Sequence, residues 1–193
     1  MNHNRMFRIV ITALFIALIF LLGMTPVGMI PLGFINISIL AVPVVIGTLI
    51  LGLKTGLVLG ACFGTISALG AFGIYGTPSA LAGALVAANP VLAALMCYVP
   101  RLLVPVIAWC VHKAISNRGK DKLAVTASAV AGSLTNTIFY LGLMLLFYVI
   151  MGINSEKVLT LIGGTGLIAG SLEAVANALI TTPVVLALRK MKH

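Results

Sequence analysis

Long apolar runs with almost no charge constrain this chain most: Ile9–Met24, Ile37–Leu51, Leu57–Ile74, Leu102–Val111, Leu123–Met151 and Leu167–Leu188. A helix that crosses a bilayer needs roughly 20 apolar residues, or about 17 when long side chains at its ends reach for water. The 20 glycines and 8 prolines would weaken soluble helices but are ordinary inside membrane bundles. The pattern predicts an all-α integral membrane protein with six transmembrane helices, in a single domain over residues 1–193. The spans run over roughly 8–24, 36–51, 55–74, 92–113, 123–151 and 166–188. A cleaved signal peptide fits the first run poorly. Arg5 and Arg8 precede it, but Thr25-Pro26-Val27-Gly28 offers no small-residue cleavage site, and further spans follow.

The stretch Ser79–Met96 is apolar enough for a seventh span, but Asn89-Pro90 interrupts it. Charge decides the count. With six spans and both termini cytoplasmic, Arg5, Arg8, Lys54, Lys113, Arg118, Lys120, Lys122, Arg189, Lys190 and Lys192 all face the cytoplasm, leaving Lys157 outside. A seventh span would carry the C-terminal half of these charges across, against the positive-inside rule. Long loops at about 25–35 and 75–91, and a shorter one near Gly152–Lys157, then lie on the outer face. They suit either capture of an external ligand or simple capping of the bundle.

Only Arg101 and Glu173 place charge inside the apolar runs, in a chain that is 61% hydrophobic with mean hydropathy +1.22. Charge at that depth is costly and marks a candidate site. Asn177 lies four residues beyond Glu173, on the same helical face. Asn136, Thr137 and Tyr140 cluster in the fifth span, Asn36 begins the second, and Asn89 sits in an outer loop. Two readings stand side by side. Arg101 and Glu173 neutralise each other while the amides satisfy carbonyls freed by prolines, or these groups line a pocket open to the outside. In the second reading, Arg supplies forked donors for a carboxylate or phosphate, and the Asn, Thr and Tyr side chains orient hydroxyl or amide groups.

Small residues recur every four positions: Gly52, Gly56, Gly60, Gly64 and Ala68 in the third span, Ala124, Ser128 and Gly132 in the fifth, and Gly166, Gly170, Ala174 and Ala178 in the sixth. Such ridges let helix backbones approach closely in lipid. Ala13 and Ala17 form a small notch on the otherwise bulky first span, suited to a sibling helix or another membrane protein.

Several classes find no support. The net charge of +9 is dispersed at span ends with no basic face, so nucleic acid is not an expected partner. Cys62, Cys97 and Cys110 are widely spaced within apolar runs, without metal-ligand spacing. No catalytic motif or P-loop is present, and His3, His112 and His193 lie near cytoplasmic ends. Neither enzyme activity nor a cofactor is expected. Uphill transport would need energy from a partner. A scaffold or assembly subunit without a solute, and a self-sufficient channel, are the alternative classes.

The segments Pro26–Asn36, Val42–Gly47, Leu51–Gly64, Pro100-Arg101 and Gly132–Thr137 resemble the S components of energy-coupling-factor vitamin transporters, across nearly the whole chain. The similarity is greatest to the branch containing pantothenate and folate S components, with pantothenate the nearer match. Ala41 stands where that branch often has His, and Leu53 where it often has Pro. The resemblance implies a subunit of the bacterial cytoplasmic membrane that binds a water-soluble vitamin near the outer surface. It further implies association with a membrane coupling protein and two cytoplasmic ATPases, docking through Ala13 and Ala17. On that reading Arg101 holds a carboxylate, Asn136, Thr137 and Asn177 take polar groups, and Glu173 orients Arg101 or accepts a ligand hydroxyl.

Overall fold

The computed structural model describes residues 3–25, 28–31, 36–75, 79–117, 119–153 and 155–190. Parts of the expected outer loops, with Arg118 and Lys192, lie outside these residues. Eight α-helices are described: α1 (His3–Gly23), α2 (Ala41–Leu51), α3 (Leu53–Ala71), α4 (Ala80–Ala88), α5 (Pro90–Ser116), α6 (Asp121–Ile150), α7 (Ser155–Leu161) and α8 (Leu167–Lys190). A π-helical turn, Ile162–Gly166, leads into α8. Five of the helices, α1, α3, α5, α6 and α8, are long and apolar enough to cross a membrane. Their outward faces carry exposed Leu14, Ile138, Leu172 and Leu179, as lipid contact favours.

The second apolar run folds differently from a single long helix. Met29–Pro31 (β1) and Asn36–Ser38 (β2) pair antiparallel, with Ile30 opposite Ile37. The Ser38 hydroxyl then accepts the Leu40 amide at 3.3 Å, and helix begins only at Ala41. At 11 residues, α2 is about 16 Å long, against a hydrocarbon thickness of roughly 30 Å. A short apolar run does not distinguish strand from helix by periodicity, which is why hydropathy extends the helix back to residue 36.

The Ser79–Met96 stretch also divides. Ser79 Oγ caps α4 by accepting the Ala82 amide, and Asn89 Oδ1 caps α5 by accepting the amides of Val91 and Leu92 at 3.0 and 3.2 Å. Pro90 occupies the first helical position, where its missing N–H costs nothing. Two caps and a proline therefore break the stretch at Asn89.

Four helix ends meet at one end of the bundle. Arg8 of α1 donates to the Leu51 carbonyl at the C-terminus of α2 at 2.8 Å. Arg189 of α8 reaches the Leu49 carbonyl at 3.5 Å and His112 Nε2 of α5 at 2.9 Å. These cations sit where the helix dipole of α2 is negative and its last carbonyls lack helical donors.

The glycine ridge of α3 packs on α5. A Cβ on Gly60 would lie 2.6 Å from the Arg101 carbonyl oxygen, and one on Gly64 would lie 2.8 Å from the Tyr98 ring. On α8, a Cβ on Gly170 would lie 2.7 Å from Thr137 Cγ2 of α6. Exposed Gly142 of α6, by contrast, has nothing within 4 Å of its Cβ position. Gly60→Val should therefore push α3 off α5 and destabilise the protein by about 1–3 kcal/mol, whereas Gly142→Ala should be neutral or slightly stabilising. Thermal unfolding in detergent reads both; equal midpoints would contradict the packing described.

Candidate functional site

Two prolines in α5 create the setting for Arg101. Pro100 has no N–H to donate to the carbonyl four residues back, that of Met96. Arg101 Nη1 donates to that same Met96 oxygen at 3.2 Å. The guanidinium thus satisfies a backbone acceptor that its own neighbour leaves open, which in an apolar bundle would otherwise be costly. Pro105 likewise leaves the Arg101 carbonyl without its helical donor, and that oxygen faces the bare backbone of Gly60.

Aromatic faces flank the same guanidinium. The Arg101 Cζ lies 4.4 Å from the Tyr140 ring centroid and 5.2 Å from that of Phe63, both within cation–π range. Arg101 is only 5% exposed, and its Nε is buried without a hydrogen-bond partner. One strong donor is therefore unspent.

Glu173, 8% exposed, faces α6 rather than pairing with Arg101. Its Oε1 accepts from Asn136 Nδ2 at 3.4 Å and its Oε2 from Thr137 Oγ1 at 3.5 Å, both long hydrogen bonds. No ion pair within 4.0 Å links it to Arg101. The direct Arg101–Glu173 pair allowed by the sequence is absent, because Met96 and two rings hold the guanidinium while two α6 side chains hold the carboxylate. Asn136 Oδ1 is a second buried atom without a partner.

Arg101, Asn136, Thr137, Tyr140 and Glu173 all line one cavity of about 60 Å³. Ser38, Ser67 and Ser79 contribute to its lining. The cavity sits where β2 ends, where α3 ends at Ala71, where Ser79 begins α4 and where Gly166 precedes α8. That is the end of the bundle remote from Arg8 and Arg189. Glu173 and Arg189 are 16 residues apart on α8, about 24 Å of helix.

The remaining candidates fall elsewhere. Asn177, 1% exposed, donates to the Ala129 carbonyl at 3.2 Å and accepts from Thr181 at 2.7 Å, one turn below the cavity. Asn89 is occupied as the α5 cap. Asn36 opens β2, and its side chain lies outside the described ones. Ala13 and Ala17 are exposed on α1. Sequence reasoning missed Phe63 and the three serines. Ser38 and Ser79 precede helices and carry no signal beyond capping, Ser67 lies within α3 as one small residue among many, and a ring stacking across helices has no signature in spacing.

Residues 7–185 match the family described as ECF transporter, substrate-specific component. The chain belongs to that family. An ECF substrate-specific component is a transport subunit rather than an enzyme, and this one is a multi-pass protein of the bacterial cytoplasmic membrane. Over 159 residues, 78% of this chain and 76% of its relative, it is 30% identical to the pantothenic acid transporter PanT of Lactococcus lactis subsp. cremoris (strain MG1363). Within this ECF component, Asn177 has a structural rather than a lining position. Asn177→Leu should strip Thr181 of its acceptor and lower stability by about 1–3 kcal/mol, read as a fall in the unfolding midpoint. An unchanged midpoint would show that the α6–α8 register does not depend on this amide.

Proposed function

We propose that this ECF component captures a water-soluble vitamin, with pantothenate the leading candidate, at the cavity between α5, α6 and α8. The observation that carries the reading is the unpaired buried Nε of Arg101, a residue that lines the cavity. A guanidinium held by a carbonyl on one edge and rings on its faces is pre-organised to receive a carboxylate. Glu173, Asn136 and Thr137 then meet the hydroxyl and amide groups of the same ligand. The relative named as a pantothenic acid transporter supports that choice of anion. A ligand of this size needs more room than the cavity offers, so binding parts its walls.

On this reading residues 1–193 form one membrane domain of six spans, α1, α2, α3, α5, α6 and α8, with β1–β2 extending the short α2. Both termini lie in the cytoplasm. The meeting of Arg8, Leu51, His112 and Arg189 at one end supports this, since the positive-inside rule puts such a basic end there. The cavity then opens toward the outer face. A membrane coupling protein and two ATPases supply the energy, and exposed Ala13 and Ala17 offer the notch on which the coupling protein docks.

Calorimetry on purified protein tests the site. Arg101→Met keeps the apolar stem and removes the charge, and should weaken pantothenate binding about 10- to 100-fold. Unchanged affinity would remove Arg101 from the role. Ala13→Trp should leave binding intact and abolish uptake by the assembled transporter; normal uptake would exclude the notch as the docking face.

A further inference from the structure

Asn136 is 5% exposed and its Oδ1 has no partner, although the residue lines the cavity. A side-chain amide can turn over and exchange its oxygen for its nitrogen, so the orphan could as easily be a donor. Glu173 decides the matter. The Glu173 carboxyl oxygen Oε1 accepts from Asn136 Nδ2 at 3.4 Å, which turns the amide nitrogen toward Glu173 and Oδ1 away from it. Turning the amide would set two oxygens against each other and strand the nitrogen. The neighbouring hydroxyl leans the same way. Thr137 has a single proton and two acceptors for it, Ser133 O at 3.4 Å and Glu173 Oε2 at 3.5 Å. Whichever takes the proton, Thr137 keeps only lone pairs for a ligand.

We propose that Glu173 is the specificity-determining residue of the cavity: by fixing the Asn136 amide it makes that wall require a hydrogen-bond donor, so the ligand must carry a hydroxyl there as well as an anionic group for Arg101. This rests on the proposed capture of a hydroxylated acid and names the residue that enforces the hydroxyl. Arg101, which lines the same cavity, offers donors only and demands the reverse. A ligand carrying a carboxylate alone leaves Asn136 Oδ1 buried and unpaired. Sites built around a hydrogen bond reject such ligands far more strongly than apolar pockets reject a missing methylene.

Two ligand pairs test this by titration of each protein variant. The first is pantothenate against N-(3,3-dimethylbutanoyl)-β-alanine, which lacks both hydroxyls. The second is 4-hydroxybutanoate against pentanoate. The readout is the affinity ratio within a pair, so a partly unfolded sample changes the amplitude and not the ratio. The natural sequence should favour the first hydroxylated ligand by about 100-fold or more. Glu173→Gln, whose amide can present either atom to Asn136, should cut that ratio at least about tenfold. Asn136→Leu deletes the acceptor while leaving Glu173 in place, and should cut it similarly. An unchanged ratio in both variants, or no preference for the hydroxylated member of either pair in the natural protein, overturns the proposal. If pantothenate fails to bind while the 4-hydroxybutanoate preference appears and vanishes in Glu173→Gln, the vitamin assignment falls and the donor-requiring wall stands. If pantothenate and its deoxy analogue bind equally, the wall falls and the vitamin assignment stands.

Discussion

A proline inside a membrane helix leaves a carbonyl without a donor where no water can replace it, and the site grows from that deficit. Pro100 opens Met96 O, and the next residue, Arg101, folds back to fill it. The backbone thereby gains its hydrogen bond and the charge gains an anchor. Phe63 and Tyr140 cover the faces of the guanidinium, so that it enters the bundle without a carboxylate partner. The Nε donor left over is what the proposed binding role of Arg101 rests on.

The rest of the bundle serves that placement. Gly60 and Gly64 bring α3 against α5 beside Arg101, and Gly170 brings α8 against α6 beside Thr137. Glu173 is therefore close to Asn136 and Thr137, and Asn177 ties the next turn of α8 to Ala129. At the far end, Arg8 and Arg189 close the exposed carbonyls of α2. The bundle is thus basic and fastened at one end, and polar and hollow at the other. For an ECF substrate-specific component, that asymmetry suits capture on one side of the membrane and engagement with soluble ATPases on the other.

Much of this was legible because burying charge is expensive. Hydropathy located the five long helices, and the scarcity of intramembrane charge singled out Arg101 and Glu173, which share a cavity. The Asn136–Thr137–Tyr140 cluster also falls in that cavity, where its spacing on α6 put it. What hydropathy could not register is local competition for the backbone. Ser38 and the β1–β2 pairing shorten α2, although its residues are as apolar as any span. Asn177 and Asn89 look like ligand contacts by type, yet Asn177 bonds the protein through both its polar atoms and Asn89 spends its Oδ1 on capping α5. Whether an amide faces a ligand or a neighbouring carbonyl depends on helix rotation and contact, which one sequence does not encode position by position.

A buried guanidinium and a carboxyl group share one cavity but not each other, the arrangement on which the proposed capture of a hydroxylated anion rests. Native mass spectrometry of the protein released from its membrane, with identification of any small molecule retained, tests this most directly. The expected result is one organic acid per chain, bearing at least one hydroxyl. A retained ligand that is uncharged, cationic or devoid of hydrogen-bond donors would contradict the account.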